Sequence, residues 1–195
     1  MPTVGGEALL FRPGGGILAT DHGQFLDLRK SRVTRRALTT GDTTDLAYSA
    51  DGRYLAAGDE SGGVTLWDGD ARLPLAVLPP PPARDAQPRY TSALAFSPDG
   101  RTLATAGVDG TLRLWDVNSD RRIGSALPTA GTAVLAVAFG SDSTTLYISG
   151  AHVPLRSYDI SADHTAAQAC ARAGTGLTRN EWRTYIRGAP YRQTC

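Results

Sequence analysis

The sequence predicts an all-β chain of repeated four-stranded units that ends in a short α-helical tail. Three observations carry this. One stretch recurs along the chain with its internal spacing kept. Dipeptides such as Asp51-Gly52, Asp99-Gly100 and Asp109-Gly110 punctuate short alternating segments, and glycine there supplies the positive φ of a tight hairpin. Past residue 160 the alternation stops and an alanine-rich, helix-period pattern begins.

The repeat is clearest in two gapless copies. Leu46-Ala47-Tyr48-Ser49-Ala50-Asp51-Gly52-Arg53-Tyr54-Leu55 aligns with Leu94-Ala95-Phe96-Ser97-Pro98-Asp99-Gly100-Arg101-Thr102-Leu103, and each runs on to Leu-Trp-Asp, at Leu66-Trp67-Asp68 and Leu114-Trp115-Asp116. The spacing predicts strands at 44–50, 53–58, 63–68 and 72–78 in one copy, and at 91–97, 101–107, 111–117 and 121–127 in the other. A more worn copy follows, in which Phe139, Leu146 and Tyr158-Asp159 take the places of Phe96, Leu103 and Trp115-Asp116. A fourth copy opens the chain: Phe11, Pro13, Gly14 and Leu18 match Phe96, Pro98, Asp99 and Leu103. The units run over about 6–41, 42–80, 88–128 and 130–160, so the repeat region is 1–160 and the tail is 161–195.

Ala95-Phe96-Ser97-Pro98-Asp99-Gly100, Leu103-Ala104-Thr105 and Asp109-Gly110-Thr111-Leu112-Arg113-Leu114-Trp115-Asp116 together resemble the WD-repeat family of β-propellers. The resemblance is strong over 44–68 and 91–127 and weaker over the rest of 6–160. It implies one four-stranded antiparallel blade per repeat, with blades ringed around a channel. It also implies a structural signature at Thr105, Asp109, Trp115 and Asp116, and at Trp67 and Asp68. The family links a loop His, a strand Ser or Thr, a turn Asp and the Trp in a polar tetrad. Thr105, Asp109 and Trp115 match three of its members. The His is missing, since Gly41-Asp42 and Gly131-Thr132 stand in its places. Ala57 and Ser61 replace the Thr and Asp of the second unit, and Ile148, His152 and Tyr158 occupy the three positions of the last. The network is therefore expected to be incomplete, with packing carrying most of each blade's stability.

About four units is fewer than such propellers usually have. The first unit starts at its inner strand and the last stops after three strands, so an incomplete propeller is expected. A closed four-bladed ring and two arcs joined from two chains are the alternatives. An unclosed arc leaves two blade faces without neighbours, expected at Leu9, Phe11, Ile17 and Phe25 and at Leu146, Ile148, Leu155 and Tyr158, together with an open strand edge.

In the tail, Ala166 to Ala173 reads as one helix, broken by Gly174 and Gly176. Thr178 with Glu181 forms a capping box for a second helix, Trp182, Tyr185 and Ile186 share one face, and Pro190 ends it. Trp182 and Tyr185 are the candidate docking residues of the tail. Cys170, Ala173-Gly174, Leu177-Thr178, Glu181-Trp182, Tyr185, Tyr191 and Thr194-Cys195 make the ending similar to that of actinobacterial multidomain proteins, which carry a WD-repeat propeller behind a signalling NTPase, a kinase or a protease. No segment of those kinds is present in this chain.

Composition narrows the function. A formal net charge of +1 gives no bulk attraction to nucleic acid or an anionic membrane. The tail is the exception, with Arg172, Arg179, Arg183, Arg187 and Arg192 against Asp163 and Glu181. Lys30 is the only lysine, a bias typical of GC-rich bacterial genomes. No signal peptide or membrane span is read from the chain, so a cytoplasmic location is expected. His22, His152 and His164 have no metal-ligand spacing, Gly14-Gly15-Gly16 lacks a following Lys-Ser, and no nucleophile elbow occurs. No catalytic residue, metal site or cofactor is therefore expected. Cys170 and Cys195 are too few for a disulfide framework, and whether they bridge depends on the tail folding back in an oxidising compartment. Pro79-Pro80-Pro81-Pro82 reads as a stiff spacer between units.

The reading that follows is a non-catalytic protein-interaction scaffold or recognition module. Its partners are proteins, including a second copy as a homodimer or another propeller fragment. The alternatives are a truncated fragment of a larger signalling protein without independent function, and an enzyme on a propeller scaffold.

Overall fold

A computed structural model of the chain describes residues 8–80, 89–127, 129, 133–161 and, towards the C-terminus, 167, 170–171, 174, 176–185 and 190–191. These divide into two compact units, Met1–Ser157 and Tyr158–Cys195.

The first unit is built of antiparallel sheets in chain order. The first blade holds β1 (Leu9–Phe11), β2 (Ile17–Thr20), β3 (Gln24–Asp27) and β4 (Arg32–Arg35). The second holds β5 (Thr43–Tyr48), β6 (Tyr54–Asp59), β7 (Val64–Asp68) and β8 (Pro74–Leu78). The third holds β9 (Thr91–Phe96), β10 (Thr102–Gly107), β11 (Leu112–Asp116) and β12 (Arg121–Ile123). The fourth holds three strands, β13 (Val134–Phe139), β14 (Thr145–Gly150) and β15 (Val153–Asp159). Each sheet is a simple meander, so every strand pairs with its sequence neighbour.

The register bears out the alignment of the repeats. Phe11 faces Leu18, Tyr48 faces Leu55, Phe96 faces Leu103 and Phe139 faces Leu146, one equivalent pair per blade. Seven of the eight strands expected in the second and third units lie within two residues of the expected bounds. The eighth, β12, stops at Ile123 instead of reaching 127. Gly124 takes φ 65° and turns the chain away, and Leu127 rejoins the sheet only through its N–H to the Leu112 carbonyl.

Period-two alternation gives each blade two apolar faces, and consecutive blades bury them against one another. Between the first and second blades, Ala19, Phe25 and Leu38 meet Leu46, Leu55 and Ala57. Between the second and third, Ala56, Leu66 and Leu78 meet Leu94, Leu103 and Trp115. A fully buried leucine side chain of this kind contributes roughly 1.5–3 kcal/mol.

Polar groups pin the same seams. Thr44 Oγ1 donates to the Thr91 carbonyl at 2.7 Å, and the Leu94 N–H donates to Asp45 Oδ2 at 2.7 Å. The Asp99 N–H reaches Ser143 Oγ at 3.1 Å, joining the third blade to the fourth, and Ser92 Oγ donates to the Val134 carbonyl. Arg12 crosses from the first blade to the second, donating from Nε to the Gly52 carbonyl at 3.1 Å and pairing with Asp70 at 2.5 Å.

In the second unit Ala167, Cys170 and Ala171 are helical, and Gly174, at φ 79°, closes that turn with its N–H on the Cys170 carbonyl at 3.0 Å. A second helix, α1, spans Arg179–Tyr185. The capping box is present: Glu181 Oε2 accepts from the Thr178 N–H at 2.8 Å, and the Glu181 N–H donates to Thr178 Oγ1 at 3.3 Å.

Candidate interaction surface

The two tryptophans of the repeat signature solve one problem in two ways. Trp115 is buried, and its indole N–H donates to Thr105 Oγ1 at 3.0 Å on the neighbouring strand. In the second blade alanine stands at the position equivalent to Thr105, and the indole of Trp67 turns instead to the Leu38 carbonyl at 2.9 Å, in the loop before β5. A buried indole N–H without an acceptor costs about 1–3 kcal/mol, so a backbone carbonyl replaces the absent side chain.

The aspartates serve turns. Asp109 Oδ1 accepts from the N–H and hydroxyl of Thr111, at 3.0 and 2.7 Å. In the second blade the same work moves two residues upstream, to Asp59, which accepts from Ser61 and the Gly63 N–H. Asp68 accepts from the N–H groups of Arg72 and Leu73, and Asp116 from Ser119. None of the hydrogen bonds found joins Asp109 to the Thr105–Trp115 pair. The signature residues thus hold the blades and their hairpins.

Surface available to a partner lies at the two ends of the blade series. In the first blade the alternation puts Leu9, Phe11, Leu18 and Leu26 on the face turned away from the second blade. Leu9 and Phe11 are each 61% exposed. Phe11 and Leu18 stand where Tyr48 and Leu55 stand in the second blade, a position that there packs on the preceding blade. In the fourth blade, Leu135 and Tyr147 are exposed, and Leu155 on β15 is 71% exposed. Pro154 to Ser157 are exposed as well, and β15 is the outer strand of its sheet.

This corrects the expected faces. Leu9, Phe11 and Leu155 are open as expected. Phe25 is buried, Ile17 is half-buried beside it, and Leu146 and Ile148 are buried too. Ile17 and Phe25 belong to the face packed on the second blade. Leu146 and Ile148 pair with Phe139 and Val137 across β13, on the face opposite Tyr147. A strand offers two faces, and composition alone does not say which one meets the neighbour.

In the tail, Trp182 is buried and packs edge-on to Tyr191 with ring centroids 5.9 Å apart, while Arg179 stacks over the Tyr191 ring. Tyr185 ends α1, and its side chain lies outside the described residues. Cys170 is disulfide-bonded, and Cys195, the only other cysteine of the sequence, lies outside the described residues. Among the described residues no group of three or more His, Cys, Asp or Glu side chains is placed to hold a metal ion, and no helix is long and apolar enough to cross a membrane.

Sequence reasoning missed three residues that hold the seams: Leu38, Asp45 and Arg12. Leu38 lies in the loop before β5, where its side chain is buried in the seam and its carbonyl accepts from Trp67, outside the strand alternation that marks the other core residues. Asp45 and Arg12 act between blades, so only a comparison of each repeat with its neighbour would have picked them out.

Four sheets of three or four antiparallel strands, stacked in chain order, define an all-β protein of WD-type blades. The family model for the WD domain, G-beta repeat, matches residues 34–68 and 88–116, which cover most of the second and third blades. Repeats of this family generally serve as protein-interaction modules and are typically non-catalytic. No curated protein matches the chain.

Proposed function

We propose that the protein is a non-catalytic interaction module whose contact surfaces are the end faces of its blade series, and that a second copy of the chain occupies them. The exposure of Leu9 and Phe11 on a face built like those the other blades bury carries this reading. Among the described residues no blade covers Leu9 and Phe11, and the fourth blade presents a face of matching kind through Leu135, Tyr147 and Leu155. Copies joined head to tail satisfy both ends at once, and such contacts form a ring where the rotation between copies closes.

The test is sedimentation of the whole chain over about a hundredfold range of concentration, since self-association shifts the observed state by mass action. Association that strengthens with concentration, and is weakened by Leu9→Ser with Phe11→Ser, supports the reading. A compact monomer at every concentration overturns it.

The compartment belongs to the same proposal. The disulfide at Cys170 favours an oxidising location over the cytoplasm expected from the sequence, because cytosolic reductants keep most thiols free.

A further inference from the structure

A second surface lies apart from the end faces, at the rim between the first and second blades. There a cleft of about 160 Å³ opens over the apolar side chains of Ile17 and Phe25. Strand β4 builds one wall. Its alternation turns Arg32 and Thr34 to the cleft, and Arg36 follows at the same period just past the strand. The register sets Phe25 beside Thr34 and Asp27 beside Arg32, so floor and wall belong to one sheet. The turn between β7 and β8 supplies Arg72 and Asp70 from the second blade. Residues forty apart in sequence thus converge only because the two blades pack.

The charges in the cleft do not cancel. Asp70 is engaged by Arg12 at 2.5 Å, and Asp27 is approached by Lys30 at 3.8 Å while accepting from the N–H groups of Arg29 and Lys30. With both carboxylates engaged, Arg32, Arg36 and Arg72 border the cavity with no ion pair among the described residues. Three arginines lining a small hollow over an aromatic floor match a tetrahedral or planar oxyanion, which Arg binds through paired N–H groups. The cavity is well below the roughly 300–1,000 Å³ of drug-sized ligand sites, so it suits a single anionic group rather than a whole cofactor. Beside it β4 is the outer strand of its sheet, with one side of its backbone open to an extended segment.

We infer that this cleft binds a phosphate monoester carried on an extended segment of a partner protein, with Arg32, Arg36 and Arg72 as its ligands. The inference does not depend on self-association, since the end faces share none of these side chains.

The probe is inorganic phosphate, followed on the Nε–Hε signals of the arginine side chains of the whole chain by NMR. Free phosphoserine tests whether an esterified phosphate is accepted, and acetate tests whether a carboxylate serves as well. Phosphate and phosphoserine should shift Arg32, Arg36 and Arg72 along one saturable curve, with acetate weaker. Arg72→Gln should weaken phosphate binding at the other two by on the order of tenfold, the loss expected for one charge-assisted contact. Arg101→Gln, on an exposed turn of the third blade, should leave the curve unchanged. A shift that fails to saturate, spreads equally to Arg101 and Arg121, or survives Arg72→Gln overturns the inference. Saturation by acetate as strong as by phosphoserine also overturns it, by making the site one for carboxylates.

Discussion

Trp115 shows how much one side chain holds. It packs in the seam between the second and third blades with Leu66, Leu78 and Leu103, and its only polar atom is matched by Thr105. Trp115→Ala should cost about 3–5 kcal/mol in urea unfolding, the usual range for a buried large aromatic. Thr105→Val keeps the volume but removes the acceptor, so its smaller cost of about 1–3 kcal/mol isolates the indole hydrogen bond. Equal costs for the two variants would show that packing adds nothing. Asp45 poses a different problem on the same seam. Burial pushes its carboxyl above the ordinary value, against the pull of the Leu46 and Leu94 N–H groups. A carboxyl raised by folding contributes stability at pH below its unfolded value and loses that contribution as pH rises through the folded one. Asp45→Asn keeps an oxygen for Leu94 and removes the charge. The variant should therefore gain on the wild type from acid to neutral pH, read as the difference in urea midpoint. A difference independent of pH would refute the assignment.

At the scale of the element, the hairpin between the first two strands of a blade is the recurring device. Ser49 donates to Asp51 and Ser97 to Asp99, both at 2.6 Å, and each aspartate also accepts from the N–H two residues on. In the fourth blade Asp142 accepts from the N–H groups of Thr144 and Thr145 and from the Thr145 hydroxyl. These bonds hold Asp51 and Asp99 below the ordinary carboxylate value of 3.8 and bring Asp142 to about 2. Groups lowered in this way contribute stability above their unfolded pKa and lose it as pH falls through the folded one. The thermal midpoint should drop between about pH 5 and pH 2, and replacing all three aspartates by Asn should flatten that drop. An unchanged acid limb in the triple variant would place the titrating groups elsewhere. Glycine is required at one of these turns for a separate reason. Gly52 takes φ 68°, and a Cβ at Gly69 would stand 1.9 Å from its carbonyl oxygen, so the β5–β6 and β7–β8 turns touch backbone to backbone. Arg12 then reaches over Gly52 from the first blade.

For the molecule as a whole, packing in the first unit is sequential: each blade is stabilised by the blades beside it, and among the described residues the first and fourth blades have one such neighbour each. This predicts where self-association acts. Leu9→Ser with Phe11→Ser and Leu155→Ser touch opposite ends of the series, so in a head-to-tail contact either change should weaken association. In a contact through the first blade alone, Leu155→Ser should have no effect, and comparing the two variants by sedimentation separates the cases. None of the three residues belongs to a buried cluster, so the substitutions should leave the folded chain intact, as checked by circular dichroism.

Much of this architecture was legible in the sequence. The Asp-Gly turns, the Leu-Trp-Asp endings and the even spacing of aromatic and leucine are local signals, and hairpin meanders are local structure, so strand order and register followed directly. The capping box at Thr178 and Glu181 is local in the same sense. The partners of side chains that cross between blades were not legible. Whether Phe11 or Phe25 meets solvent depends on which face of β1 to β3 packs on the second blade. The Leu38 carbonyl accepts from Trp67, and Arg32, Arg36 and Arg72 share a cleft, because one blade lies against the next. The sequence by itself determined the repeat, because period-two burial and turn chemistry act within a few residues. Only the tertiary structure decided which faces are covered and which charges are brought together, because those depend on contacts between residues distant in the chain.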